Sequence, residues 1–161
     1  MYKRQVTKSK LVLRDVDILQ KMKHVEVAIS VSTLDETLSK KLEPCSSSVR
    51  DRLGTLKELK ASGIKTVLFL SPILPCFTDY KAVIEATKDY VDEYWFDKLN
   101  LRSSFKTKMF GFIENEYPQY KAFYNNIYIK KDNTFWNDLS SEIDEYCRLH
   151  NINNKIFFAG T

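Results

Sequence analysis

Apolar positions fall in two alternating rhythms along the chain. Short runs rich in β-branched and aromatic residues, at Gln5–Thr7, Val25–Val31, Thr66–Ile73 and Glu93–Phe96, read as strands. Between them, apolar residues recur at three- and four-residue spacing, as on one face of a helix. Leu11 to Met22 predicts one such helix, with Val12, Val16 and Leu19 inward beside Ile18 and Met22. Thr33 with Glu36 has capping-box spacing and opens a second helix towards Leu42, which Glu43-Pro44 stops. Ser48 can cap a third, with Leu53, Leu56 and Leu59 on its apolar face and Gly63 as a left-handed stop. Thr78 or Asp79 begins a fourth, with Val83, Ile84 and Tyr90 inward. The run Thr66–Ile73 is nearly continuous in apolar residues, as suits a parallel strand covered on both faces. After Arg102 the rhythm changes to three helices in succession, about Phe105–Glu116, Gln119–Ile127 and Phe135–Leu149, and a last extended piece, Lys155–Phe158.

Strand–helix alternation repeated four times implies a parallel α/β sheet. A complete eightfold barrel takes about 250 residues, and this chain has 161. The arithmetic favours an open sheet or an incomplete barrel.

Composition narrows the class without choosing a function. Hydrophobic residues make up 43% and charged ones 29%, with 4 Gly and 4 Pro, as in a folded domain. The net charge of +4 is spread along the chain and does not by itself indicate nucleic-acid binding. The longest apolar stretch, Val67–Phe77, is broken by Ser71, Pro72 and Pro75, well short of the roughly 20 residues of a membrane span. No membrane contact and no secretory signal are expected, and three widely spaced cysteines suit a reducing cytoplasm.

Ligands of parallel α/β folds bind at the carboxyl ends of the strands. Polar residues gather at four such ends: Thr7-Lys8-Ser9, Ser30-Val31-Ser32-Thr33, Ser71-Pro72 and Asn100-Leu101-Arg102. Such a ring suits carboxylate, ribose or phosphate oxygens, yet serine and threonine at strand ends are also ordinary turn and cap residues. Spacing alone leaves both readings open. His24 and His150 lie far apart beside helix ends, and no glycine-rich phosphate loop or Ser–His–acid signature is present. Phe105–Trp136 interleaves aromatic residues with lysines. That pattern can stack single-stranded bases, but Tyr120 and Tyr124, or Phe123 and Ile127, have the spacing of core residues.

The strand-end segments also carry a family resemblance. Thr7-Lys8-Ser9-x-Leu11-Val12-Leu13-Arg14-Asp15 resembles the strand and helix start of radical S-adenosylmethionine (SAM) proteins related to spore photoproduct lyase. Ile29-Ser30-Val31-Ser32-Thr33-Leu34-Asp35 resembles their next strand end, and Leu42-Glu43-Pro44 with Arg52-Leu53 their "EP…RL" segment. Ala61-x-Gly63-Ile64, leading into Ser71-Pro72-Ile73-Leu74-Pro75, and then Leu99-Asn100-Leu101-Arg102 follow in the same order. The resemblance implies an incomplete (β/α) barrel, with about four parallel strands and their helices over residues 6–103 and a mostly helical C-terminal extension over 104–161. These strands would correspond to the third to sixth of a six-stranded partial barrel. It also implies a parent enzyme that cleaves SAM reductively to a 5′-deoxyadenosyl radical and abstracts hydrogen from an unknown substrate. By resemblance, Thr7, Lys8, Ser30, Ser71, Pro72 and Ile73 would hold SAM, with Lys8 on its carboxylate and the backbone at Ser71 to Ile73 along the adenine. Ser32, Asn100 and Arg102 would face the substrate.

One departure decides what the chain is expected to do alone. The family holds a 4Fe-4S cluster with three closely spaced cysteines, whereas Cys45, Cys76 and Cys147 stand apart. No metal ligand and no catalytic residue is therefore assigned in this chain. Met1 to Gln5 resemble the translation of a sequencing adapter on a metagenomic fragment, which would start the native sequence near Val6; a natural short basic N-terminus is the other reading. Such a fragment is expected to self-associate through its open edge. The alternative is a stand-alone α/β module that binds a nucleotide-like anion or nucleic acid without redox chemistry.

Overall fold

The computed structural model describes residues 3–158. Met1 and Tyr2, the start of the stretch read as adapter-derived, lie outside the described residues. Five strands, β1 (Lys3–Thr7), β2 (Val25–Ser30), β3 (Lys65–Ile73), β4 (Glu93–Lys98) and β5 (Asn154–Ile156), form one sheet. Every neighbouring pair is parallel, and the spatial order is the chain order. A doubly wound sheet reverses its strand order at a switch point. This sheet never reverses, so it is an open arc of the (β/α)-barrel kind, as the alternation predicts. The extended piece expected near Lys155 is β5, a fifth strand on the edge of β4.

The helices are α1 (Val16–Gln20), α2 (Glu36–Leu42), α3 (Val49–Ala61), α4 (Tyr80–Thr87), α5 (Ser103–Glu116), α6 (Lys121–Tyr128) and α7 (Thr134–Leu149). Among the described residues none is long and apolar enough to cross a membrane. Ser48 caps α3 by accepting from the Asp51 amide at 3.0 Å, Asp79 caps α4, and Gly63 follows α3 with φ +74°, all as the sequence predicts.

Two local expectations are corrected. The single helix over Leu11–Met22 is a 3₁₀ segment, Lys10–Asp15, followed by the short α1. Leu11 and Ile18 stay exposed and no residue of the 3₁₀ segment is fully buried, so no packed face sustains a continuous helix. The cap of α2 is Asp35, which accepts from the Thr37 and Leu38 amides at 2.8 and 3.0 Å. Thr33 instead accepts from the Asp35 amide, and Glu36 reaches forward to the Val49 and Arg50 amides at the start of α3. The capping-box pair is present, but each member serves a different turn.

Successive side chains alternate across a strand, so the sheet has two distinct faces. Val27 and Ile29, Leu68 and Leu70, and Tyr94 and Phe96 point into the main core with Leu56 and Leu59 of α3, Val83 and Ile84 of α4, and Ile143 and Cys147 of α7. The opposite face is ionic at its amino-terminal end. Glu26 accepts from Arg4 at 2.6 Å and Lys65 at 3.3 Å, while Glu93 accepts from Lys65 at 2.6 Å and from Lys155. One charged side chain from each strand thus forms a ladder of alternating sign. Above it Trp95 closes over Ala28 and Val67. Its indole N–H donates to Glu93 at 2.9 Å, Arg4 and Lys155 lie 5.2 and 5.3 Å from its ring, and Phe69 and Phe157 meet it edge-on. This face therefore has a floor below the strand ends.

A second, smaller core of Leu74, Leu99, Met109, Ile113 and Tyr124 seats α5 and α6 over the carboxyl ends of β3 and β4. The Tyr124 hydroxyl donates to the Pro75 carbonyl at 3.0 Å, and burial pushes its phenol above the ordinary range. The aromatic residues of 105–136 largely pack against one another here, Phe123 on Phe135 and Phe110 on Tyr124 among them, as core spacing predicts.

Glu93 links this packing to pH. Burial would raise its carboxyl, but donation from Lys155, Lys65 and the Trp95 indole holds it at about 2, below its ordinary 4.5. A depressed carboxylate contributes stability above its unfolded pKa and loses it as pH falls through the folded one. Glu93→Gln should therefore lower stability by about 2 kcal/mol at pH 7. In urea unfolding the gap between variant and wild type should close between pH 4.5 and about 2.

Candidate functional site

The strand ends β1 to β4, α2 and the first half of α5 enclose a cleft of about 440 Å³. Lys8, Ser32, Ser71, Pro72 and Asn100, all expected from the sequence, line it. Thr7, Ser30, Ile73 and Arg102 do not. Thr7 turns its hydroxyl to the Ser9 amide at 3.1 Å. Ser30 donates to the Ser71 carbonyl at 2.7 Å and so ties β2 to β3 beneath the cleft. Ile73 is buried in the main core. Arg102 is exposed on the residue before α5.

Lys8 is held from below. Its Nζ donates to Oε1 of Glu43, whose Oε2 accepts from Nη1 of Arg52 at 2.8 Å. Arg52 is 1% exposed, and its guanidinium has partners for all five N–H bonds. Nε donates to the Ser47 carbonyl at 2.7 Å, and Nη1 to the Ser30 carbonyl at 3.0 Å as well as to Glu43. Nη2 donates to the hydroxyls of Ser39 and Ser46 at 3.0 and 2.7 Å. The Lys8 carbonyl in turn accepts from the Ser47 amide at 3.1 Å, and the Lys10 amide donates to the Ser47 hydroxyl. One buried cation thereby fixes the loop after α2, the end of β2 and the ammonium at the end of β1.

The next two strand ends are set with equal economy. The Thr78 hydroxyl donates to the Ser32 carbonyl at 2.6 Å and accepts from the Leu74 amide at 2.8 Å, joining the turns after β2 and β3. The Ser71–Pro72 peptide bond is cis. Ser32 itself is 6% exposed, and its hydroxyl has no hydrogen-bond partner among the described residues. A buried hydroxyl left unpaired costs about 1–3 kcal/mol. In the wall of a cleft it is a group to which a ligand can hydrogen-bond.

Several lining residues were not singled out in the sequence. Asp97 and Lys98 lie where β4 runs on beyond Phe96, so the strand-end rule would have found them had the strand been read two residues longer. Phe105 and Met109, four apart on α5, make an apolar wall with Leu42, Leu74 and Leu99. Glu43 and Arg52 belong to the "EP…RL" segment, and the fold joins the two as an ion pair across the loop between α2 and α3.

The cysteines do not gather at the cleft. Cys45 and Cys76 are exposed on separate loops, and Cys147 is buried on α7, where desolvation pushes its thiol up to about 11. Among the described residues no three His, Cys, Asp or Glu side chains come together as a metal site. The residues present do not fit an iron–sulfur cluster. His150 lies tilted against the Tyr146 ring at the end of α7, and His24 sits at positive φ before β2, both away from the cleft.

No family model matches the sequence. The uncharacterized protein MJ0683 of Methanocaldococcus jannaschii is 39% identical over 114 residues, which are 71% of this chain and 43% of that protein. The uncharacterized protein ORF301 of Acidianus two-tailed virus is 34% identical over 70 residues, 43% of this chain and 23% of that protein. The chain thus spans less than half the length of either relative. Among solved structures, Streptococcus suis SuiB bound to S-adenosylmethionine superposes with a TM-score of 0.63 at 17% identity, covering 95% of this chain and 32% of SuiB. SuiB bound to the precursor peptide SuiA gives a TM-score of 0.60 over the same share of this chain. The likeness is one of fold.

The Arg52 network carries a direct test. Arg52→Ala leaves Oε2 of Glu43 and four further acceptors without their donor, and it should destabilise the chain by about 3–5 kcal/mol. Arg52→Lys should recover only part of that in urea unfolding, because an ammonium cannot reach five acceptors spread around a planar fork.

Proposed function

We propose that the chain is the C-terminal part of a radical SAM enzyme of the spore-photoproduct-lyase-like group, and that its cleft holds the adenosyl cofactor at the ends of β1 to β4. The observation that carries this reading is the juxtaposition, in one cleft, of an anchored ammonium, Lys8, with an unpaired buried hydroxyl, Ser32. Five ordered sequence blocks that resemble that family support it, as does the fold shared with a protein crystallised with SAM.

In this reading Lys8 takes the carboxylate of the amino-acid moiety. Only one of its three N–H bonds is spent on Glu43, which holds the ammonium at the strand end instead of leaving it to swing in solvent. Ser32 offers its hydroxyl to a polar oxygen or nitrogen of the ligand. The backbone at Ser71 and Pro72 forms the side of the cleft where a flat ring would lie. Ser30 acts indirectly, by holding Ser71 in place. SAM, once bound and reduced in the complete enzyme, supplies the hydrogen-abstracting chemistry. The cysteines of this chain do not fit the cluster that would deliver the electron, so the reading asks only binding of the chain itself.

Calorimetric titration of the chain with SAM tests it. Lys8→Ala should weaken binding about tenfold, the worth of one charge-assisted hydrogen bond. Binding of 5′-methylthioadenosine, which lacks the carboxylate, should not change. Equal SAM affinity for wild type and variant would remove Lys8 from the site.

A further inference from the structure

We propose that Asp97 makes the α5 end of the cleft a subsite for an amine carried on an apolar body. That ligand being the substrate rests on the adenosyl reading above; the preference for an amine does not.

The placement of Asp97 follows from strand alternation. Glu93, Trp95 and Asp97 share one face of β4, so Asp97 lies above the Trp95 floor, at the level where the strands open into the cleft. Its carboxylate differs from the others on that side of the molecule. Glu26 and Glu93 each accept from two cations, and Glu43 accepts from Lys8 and Arg52. The Asp97 carboxylate has no hydrogen bond or ion pair among the described residues. Lys8, which lines the same cleft, is directed at Glu43 and not at Asp97.

The wall beside Asp97 is apolar. Phe105 and Met109 project from α5 four residues apart, with Leu99 next to them. Phe105 is 44% exposed. An anionic ligand against this carboxylate would meet like charge with no ion pair holding the carboxylate aside. A purely apolar one would desolvate that carboxylate and give nothing in return. A protonated amine on a hydrocarbon or aromatic frame satisfies both surfaces, with a charge-assisted hydrogen bond at one end and apolar contact at the other.

The probe is benzylammonium, with benzoate and benzyl alcohol as controls, titrated into the isotope-labelled full chain at pH 7. Benzylammonium should shift the amide resonances of Asp97 and Asn100 and the methyl of Met109, and benzoate should not. Asp97→Asn should weaken benzylammonium about fivefold, as expected for a half-exposed charged pair. The urea midpoint should stay unchanged, since the carboxylate supports nothing in the fold. No shifts at these residues, equal affinity in Asp97→Asn, or benzoate binding as well as benzylammonium would each overturn the proposal. A parallel SAM titration separates the two readings. If SAM fails to bind while benzylammonium reports on Asp97, the adenosyl reading falls and the amine subsite stands.

Discussion

The cleft depends on a guanidinium that no solvent reaches. Arg52 sits on α3, an outer helix, yet its five N–H bonds end on β2, α2 and the loop that joins α2 to α3. Desolvating such a cation is expensive, and only complete satisfaction offsets the cost. That requirement is geometric. The carbonyls of Ser30 and Ser47, two hydroxyls and one carboxylate must all stand around one plane, which leaves the loop over residues 43–48 little freedom. Glu43 then has one oxygen left, and that oxygen holds Lys8. The position of the ammonium at the end of β1 is therefore set by a residue on α3, beyond α1, β2 and α2 in the chain. An edge strand exposed along nearly its whole length gains a fixed terminus in this way.

The two faces of the sheet divide the remaining work. The helix-covered face is apolar and accounts for most of the core. The other face has no helix of its own in the main core, and it is closed by charge and aromatic rings in layers. The ladder from Arg4 to Lys155 alternates in sign across five strands, so each carboxylate is compensated by the strands beside it. Trp95 then covers the small residues Ala28 and Val67. The same face is thus closed by ion pairs at its amino-terminal end and open at its carboxyl end. The cleft lies at the end where the filling stops.

Much of this was legible in the sequence, for identifiable reasons. The four strands announce themselves by β-branched runs, and strong local chemistry marks the Ser48 and Asp79 caps and the Gly63 turn. The strand-end rule also gathers Lys8, Ser32, Ser71, Pro72 and Asn100 into one place without any knowledge of the helices. What fails is whatever depends on partners distant in sequence. Thr33 and Glu36 satisfy a local motif, yet Glu36 finds two amides of α3 that are better placed. Leu11 and Ile18 have helical spacing but nothing to pack on, so spacing alone misleads. Ser30 and Ser32 are two apart on the same strand end and look equivalent in sequence. The carbonyl of Ser71 takes the first hydroxyl, and nothing in the fold takes the second.

That last contrast bears on how unpaired polar atoms should be read. Two buried hydroxyls lack partners among the described residues, those of Ser32 and Tyr128. Tyr128 lies among the side chains of both cores, and its phenol is pushed above the ordinary range by burial. A large ring there gains enough from apolar contact to offset one lost hydrogen bond. Serine has no such compensation, because its side chain is little more than the hydroxyl. Replacement by alanine would cost the fold nothing visible at position 32, so stability does not account for the polar group. The same argument applies to Asp97, whose carboxylate contributes no contact to the protein that holds it. Both side chains line one cleft, on the strand ends either side of β3, where a bound molecule would find a hydroxyl and a carboxylate that the fold does not use.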